Sequence, residues 1–249
     1  MHYVWQPLRV LWKFWFFTTF VSSFIILYPA FYFLFQKRSR FYAAYNLMRV
    51  WSYVLTTICG LWTEIEERGD LPKTPYIICP NHGSYLDIII MYRVFSRYSV
   101  FMGKAEILTW PLFGIFFTKG MNIPVNRKNP KGAHEALQVA KAELAKGHNV
   151  IIFPEGTIPQ TAPKMRAFKN GAFKLALEEN IPIVPMTFVN NWRRLQAGAV
   201  LKQLGGAGPS RIVIHAPVYP KDYEQLGVVR LKQDIFETIE EPLKRHYGD

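Results

Sequence analysis

The chain has 249 residues, enough for one α/β domain with a sizeable core plus an appendage. Half of its residues are hydrophobic and 16% are aromatic, which excludes a disordered chain. A formal net charge of +12 points to a polyanionic partner, whether nucleic acid, anionic lipid or a phosphorylated substrate. The two cysteines, Cys59 and Cys79, lack the spacing of a metal site or a disulfide framework, so neither is expected.

The first segment, Phe14 to Phe35, carries no charge. At about 1.5 Å per residue it is long enough for a bilayer core of roughly 30 Å. Lys37, Arg38 and Arg40 follow it, placed to meet anionic headgroups. A second uncharged run, Val50 to Thr63, is short for a span and suits a helix packed on the first. Residues 1–69 therefore read as a hydrophobic two-helix membrane anchor, and residues 70–249 as a separate α/β domain. From Asp70 onward, β-branched runs alternate with helical patterns. Strands are expected at Tyr76–Cys79, Ser99–Met102, Asn122–Val125, Val150–Phe153, Ile183–Phe188 and Ile212–His215. Helices are expected at Tyr85–Phe95, Gly132–Lys146 and Ala167–Glu179, with a last one from about Gln225 or Leu231. That alternation implies an α/β fold: a mixed, largely parallel sheet flanked by helices.

Between the first strand and helix of that domain lies "PNHGSYLDIII", Pro80 to Ile90. Ser84 and Asp87 have the spacing of a helix capping box, which would give Asp87 a purely structural role. The same stretch admits a chemical reading. With His82 in the loop and Asp87 in the first turn of the helix, the carboxylate can hold one imidazole nitrogen and leave the other as a base. An alcohol bound there would lose its proton while attacking an acyl carbon, with the substrate hydroxyl in the place of a catalytic serine. Further along, "IIFPEGT", Ile151 to Thr157, reads as a strand ending in Glu155 at a Pro–Gly turn. That turn either presents the acid to a hydroxylated substrate or is an ordinary turn. Lys104 and Arg127 follow strands, where two cations could hold a phosphate.

In chain order, His82 and Asp87 of "NHGSYLD", "GKAEI" (Gly103–Ile107), "IPVNR" (Ile123–Arg127), "FPEGT" (Phe153–Thr157) and "IPIVPMTF" (Ile181–Phe188) resemble the ordered blocks of the glycerophospholipid acyltransferase family. The resemblance implies that His82 is the general base and Asp87 its partner. It also implies that Glu155, Gly156 and Thr157 shape the acceptor site and that Lys104 and Arg127 bind glycerol phosphate. The implied reaction moves a fatty acyl group from an acyl thioester, on coenzyme A or acyl carrier protein, to lysophosphatidic acid, giving phosphatidic acid. No metal and no bound cofactor are implied. The partners are a lipid bilayer, the lysophospholipid acceptor and the acyl-CoA or carrier-protein donor. The expected location is the inner face of the cytoplasmic membrane, with the catalytic domain in the cytoplasm. One departure stands out: Ile158-Pro159 follow FPEGT where the family often has Arg-Ser. Either Lys164, Arg166 or Lys169 supplies the missing charge, or the acceptor is another lyso-lipid such as lyso-ornithine lipid. A lipid or thioester hydrolase using water at the same base is the enzymatic alternative. Nucleic-acid binding is not expected, because the basic residues are scattered and lack aromatic interleaving.

Overall fold

A computed structural model describes residues 6–73, 75–127, 129–199 and 201–248. Two helices lead: α1 (Gln6–Leu34) and α2 (Phe41–Ile58), joined through the 3₁₀ turn Arg38–Arg40. Then come β1 (Leu61–Arg68), β2 (Ile77–Pro80), α3 (Leu86–Val94), β3 (Ser99–Lys104), α4 (Ile115–Thr118), β4 (Ile123–Val125), α5 (Pro130–Ala145) and β5 (Asn149–Ile151). The chain closes with α6 (Gly171–Glu179), β6 (Ile183–Phe188), α7 (Asn191–Arg194), β7 (Gly208–Ile214) and α8 (Gly227–Tyr247).

One seven-stranded sheet runs in the order β1-β7-β6-β2-β5-β3-β4. Every pairing is parallel except β6 with β7. The central strands β2 and β6 are buried at every position, as short apolar runs in a doubly covered parallel sheet should be. The connection β2–α3–β3 moves one way across the sheet, while β4–α5–β5 and β5–α6–β6 move the other way. Right-handed crossovers therefore put α3 on one face and α5 and α6 on the opposite one. On the α3 face, α2 docks through Ser52 Oγ to Ile89 O at 2.6 Å and Tyr45 Oη to Phe95 O at 3.1 Å. The outermost layer is α1, whose buried Phe16, Phe24 and Phe31 join a ladder of rings with Trp51, Phe113 and Phe116.

The expected strands and helices of the catalytic domain are all present, within a few residues at their ends. Two differences concern residues before Asp70. The second apolar segment ends as a helix at Ile58, and Leu61–Arg68 is the sheet's edge strand, paired with β7. Gly60, at φ +68°, turns the chain between them in the left-handed conformation that commonly ends helices. A Cβ there would also lie 3.0 Å from the Cβ of Ala207. The charged half of β1 faces outward and pairs across the surface, Glu64 with Arg211 and Glu67 with Arg245. The second difference corrects the expected pair of anchoring helices. Among the described residues one helix, α1, is long and apolar enough to cross a membrane, and α2 is not. Only 17% of the most apolar window of α1 is buried, which is unlike the core helix of a soluble protein.

Candidate active site

The loops after β2, β5 and β6 converge at the carboxyl ends of three adjacent parallel strands, where open α/β sheets place their ligands. Asn81 fixes the first of these loops. Its side chain donates to Phe188 O at 3.1 Å and accepts from Phe188 N–H at 2.7 Å, clipping the end of β2 to the end of β6. His82 follows at once, and its backbone N–H donates to Glu155 Oε1 at 2.8 Å.

The imidazole of His82 lies 2.9 Å from Asp87 Oδ2 through Nδ1. With the proton on Nδ1, Nε2 is the nitrogen left to accept one. The ring also packs on Phe153, centroid to centroid at 4.2 Å, so its orientation is held from two sides. Asp87 is fully buried. Its Oδ2 also accepts the N–H groups of Gly83 at 2.8 Å and Ser84 at 2.9 Å, and its Oδ1 accepts from Asn191 Nδ2 at 2.9 Å. Ser84 Oγ in turn accepts the N–H of Leu86 at 3.0 Å. The capping box and the histidine partner are thus the same carboxylate: Asp87 ties off the start of α3 and holds His82 with one oxygen.

Glu155 is the second buried acid, only 3% exposed. It braces two loops, accepting from His82 N–H through Oε1 and from Arg166 N–H through Oε2, both at 2.8 Å. Burial pushes its pKa up to about 7, against the pull of those two donors and with a smaller push from the charge of Asp87. Gly156 follows at φ +74°. A methyl group there would fall 3.1 Å from Lys169 Cε and 3.3 Å from its Nζ, so the Lys169 stem and ammonium lie over this turn. Lys169 N–H donates to Pro154 O at 2.9 Å, which draws the far end of the loop back to the acid. Thr157 comes next, half-buried.

His82, Asp87, Glu155, Gly156 and Lys169 therefore form one connected group. Lys104 and Arg127 stand on the same edge of the sheet but farther along it. They lie at the ends of β3 and β4, two and three strands from β2, or about 10 and 14 Å at ordinary strand spacing. Lys104 is exposed. Arg127 is half-buried, and burial lowers its pKa from the ordinary value while the charge of Glu106 offsets part of that shift. The sequence reading missed Asn191, Ser210 and Asn81. The signal for the first was Asn190-Asn191 directly after a fully buried strand. Among the described residues no group of three His, Cys, Asp or Glu side chains could hold a metal ion.

A family model described as Acyltransferase matches residues 63–189, half of the chain. The chain belongs to the acyltransferase family. Similar proteins include a chloroplastic 1-acyl-sn-glycerol-3-phosphate acyltransferase of Brassica napus, 30% identical over 63% of this chain and 45% of its own length. Another is the 1-acyl-sn-glycerol-3-phosphate acyltransferase of Cocos nucifera, 34% identical over 51% of this chain and 42% of its own. A probable enzyme of that name from Mycoplasma pneumoniae is 24% identical over 84% of this chain and 80% of its own. The chain spans less than half the length of the two plant relatives. The crystal structure of the 1-acyl-sn-glycerophosphate (LPA) acyltransferase PlsC from Thermotoga maritima superposes with a TM-score of 0.73, covering 100% of this chain and 99% of that one at 19% identity. The two chains share one fold.

The raised Glu155 pKa has a consequence for stability. The folded chain binds this proton more tightly than the unfolded chain, so the group's contribution is fully present below about 4.5 and is lost as pH rises through about 7. Urea unfolding of the wild type and of Glu155→Gln from pH 5 to 8 isolates that contribution. The stability of the wild type relative to the variant should fall by up to about 1.4 kcal/mol per pH unit below pH 7 and level off above it. A difference that stays constant with pH would show that Glu155 titrates normally.

Proposed function

We propose that the protein transfers a fatty acyl group from an acyl thioester to the free hydroxyl of lysophosphatidic acid, giving phosphatidic acid. The observation that carries this reading is the His82–Asp87 pair, 2.9 Å apart, held at the carboxyl edge of an acyltransferase-family sheet. The acceptor hydroxyl gives its proton to His82 Nε2 as its oxygen attacks the thioester carbonyl. Asp87 stabilises the imidazolium that results. When the tetrahedral intermediate collapses, the C–S bond breaks and the departing thiolate takes the proton from His82. A thioester is already activated, so a placed base and a held acceptor account for the rate without covalent catalysis. Coenzyme A and acyl carrier protein are the two donor carriers the reading admits.

Lys169 supplies the charge that Ile158 lacks. Its stem and ammonium lie over Gly156, the residue after Glu155, and the charge suits the acceptor phosphate. Lys104 and Arg127 extend the cationic edge outward from it. A half-buried guanidinium is stabilised by a bound anion, which favours Arg127 as a second phosphate contact.

The same reading places the enzyme on a membrane. Leu11, Phe14 and Ile26 are 63%, 71% and 76% exposed, and Val50 and Tyr53 continue that apolar surface on α2. At about 1.5 Å per residue α1 is about 43 Å long, and it touches the catalytic domain at both ends. Near its start Lys13 Nζ donates to Gln203 O at 2.6 Å, and near its end Phe31 and the following Phe35 pack on Phe116. A helix tied to the domain near both of its ends favours a placement of α1 and α2 within one leaflet over a crossing. Lys37, Arg38 and Arg40 then meet anionic headgroups at the cytoplasmic face of the membrane.

Three outcomes check this account. Purified protein, given lyso-lipid acceptors and both donor types, should acylate lysophosphatidic acid, and His82→Ala should lower turnover at least about 100-fold. Release of free fatty acid without a product lipid would make the enzyme a hydrolase. Acylation of lyso-ornithine lipid alone would move the acceptor assignment. In the same assay Lys169→Ala should raise the acceptor KM by about 10- to 100-fold and leave the donor KM near its original value. Equal effects on both substrates would remove Lys169 from the acceptor site. Finally, a cysteine at position 6 and one at position 70, in a chain lacking Cys59 and Cys79, should both react from the cytoplasmic side of oriented vesicles. Labelling of position 6 only from the far side would establish a transmembrane helix.

A further inference from the structure

We propose that Asn191 and Ser210 are positioning residues for the catalytic base, acting on His82 through Asp87. The proposal rests on the reading of His82 as base. Neither residue belongs to the segments Pro80–Ile90 or Ile151–Thr157 that carry the recognisable chemistry.

A carboxylate has two oxygens, each able to accept about two hydrogen bonds. In Asp87 they are served unequally. Oδ2 takes three donors, all from its own turn: His82 Nδ1 and the N–H groups of Gly83 and Ser84. Oδ1 takes Asn191 Nδ2 at 2.9 Å. Both residues are fully buried, so water does not stand in for that donor. Asn191 opens α7, directly after Asn190 and the end of β6, and thus reaches Asp87 from a different part of the sheet.

An asparagine amide has two faces of similar shape, and flipping it would turn its oxygen toward the carboxylate. Ser210 on β7 selects the productive face. Its hydroxyl donates to Asn191 Oδ1 at 2.6 Å, leaving Nδ2 toward Asp87. Ser210 is also fully buried. Donation runs from Ser210 through Asn191 into Asp87 Oδ1, while His82 Nδ1–H donates into Oδ2 of the same carboxylate. It fixes the carboxylate plane from the side opposite its own turn. That plane decides whether Oδ2 meets the Nδ1 proton squarely, and so whether Nε2 is the nitrogen presented to the acceptor hydroxyl.

The test uses the full-length chain in detergent with three variants: Asn191→Leu, Asn191→Asp and Ser210→Ala. Asn191→Leu should lower kcat about 10- to 100-fold, with both KM values unchanged within about twofold, because Asn191 is fully buried and bonds to Asp87 and Ser210. Asn191→Asp should be at least as damaging, since it sets a second buried carboxylate against the first. Ser210→Ala should lower kcat about 2- to 10-fold, the loss of one neutral hydrogen bond. The readout that a merely structural role would not move is the low-field proton resonance of the His82 Nδ1–H, assigned by its loss in His82→Ala. It should shift or broaden in each variant. Melting temperatures measured alongside separate the two roles. A lower melting temperature with normal kcat and an unmoved resonance would overturn the proposal. Should Asn191→Leu fail to fold, Ser210→Ala decides by the same two readouts. Because the resonance is read without turnover, the proposal can fail while the transferase assignment stands, and the reverse.

Discussion

A carboxylate cut off from water must find its hydrogen bonds within the protein, and Asp87 finds four. Left without them it would be costly to keep ionised, because a buried charge is tolerated only when it is paired and hydrogen-bonded. Meeting that requirement shapes the surrounding architecture. The turn after β2 curls so that Gly83 and Ser84 aim their N–H groups at one oxygen, and α7 starts where it does so that Asn191 reaches the other. His82 is the remaining donor, and in the proposed reaction its bond to Asp87 is what leaves Nε2 free to act as the base. In the proposed mechanism the structural and chemical duties of Asp87 are one arrangement seen from two ends.

The second acid works differently. Glu155 holds two backbone N–H groups, one belonging to His82 and one to Arg166 in the loop that follows it. It joins the turn of the base to the loop that carries Lys169. Its pKa near 7 means that this brace has two protonation states close to neutrality. A protonated oxygen is a poorer acceptor for a backbone N–H, so protonation of Glu155 weakens its hold on one of these two loops. Lys13 of α1 donates to Gln203 O, and Leu195 O, earlier in the same stretch of chain, accepts the hydroxyl of Ser84. The apolar layer and the turn of His82 and Asp87 are thus tied to the same stretch of chain.

How much of this was legible in the sequence depended on how far each interaction reaches. His82 and Asp87 are five residues apart and lie in a single turn, so their pairing could be argued from spacing alone. The alternation of strands and helices after Asp70 was equally visible, because each parallel strand is buried on both faces and reads as a short apolar run. The edge strand β1 was not. Its first residues continue the apolar run of α2, and its charged remainder makes sense only beside Arg211 and Arg245, which come much later in the chain. Gly60 was the local mark of that boundary. Asn191 and Ser210 were hidden for the same reason: asparagine and serine are ordinary loop and strand residues, and only the assembled sheet brings them to Asp87. Lys169 stood among three candidates in one loop, and only the folded chain shows that its stem lies across Gly156 while Arg166 N–H reaches Glu155.

The central claim is that Asp87 serves the chemistry of His82 as well as the start of α3. Asp87→Asn separates the two duties, because the amide keeps the shape and one acceptor oxygen but not the charge. Turnover of the purified variant in the acyl-transfer assay, taken together with its melting temperature, is the most direct measurement. The account predicts a fold that survives, destabilised by about 0.5–2 kcal/mol as for a weakened cap, and a turnover reduced by at least about 100-fold. Normal turnover in a destabilised protein would contradict it and leave Asp87 as a cap alone.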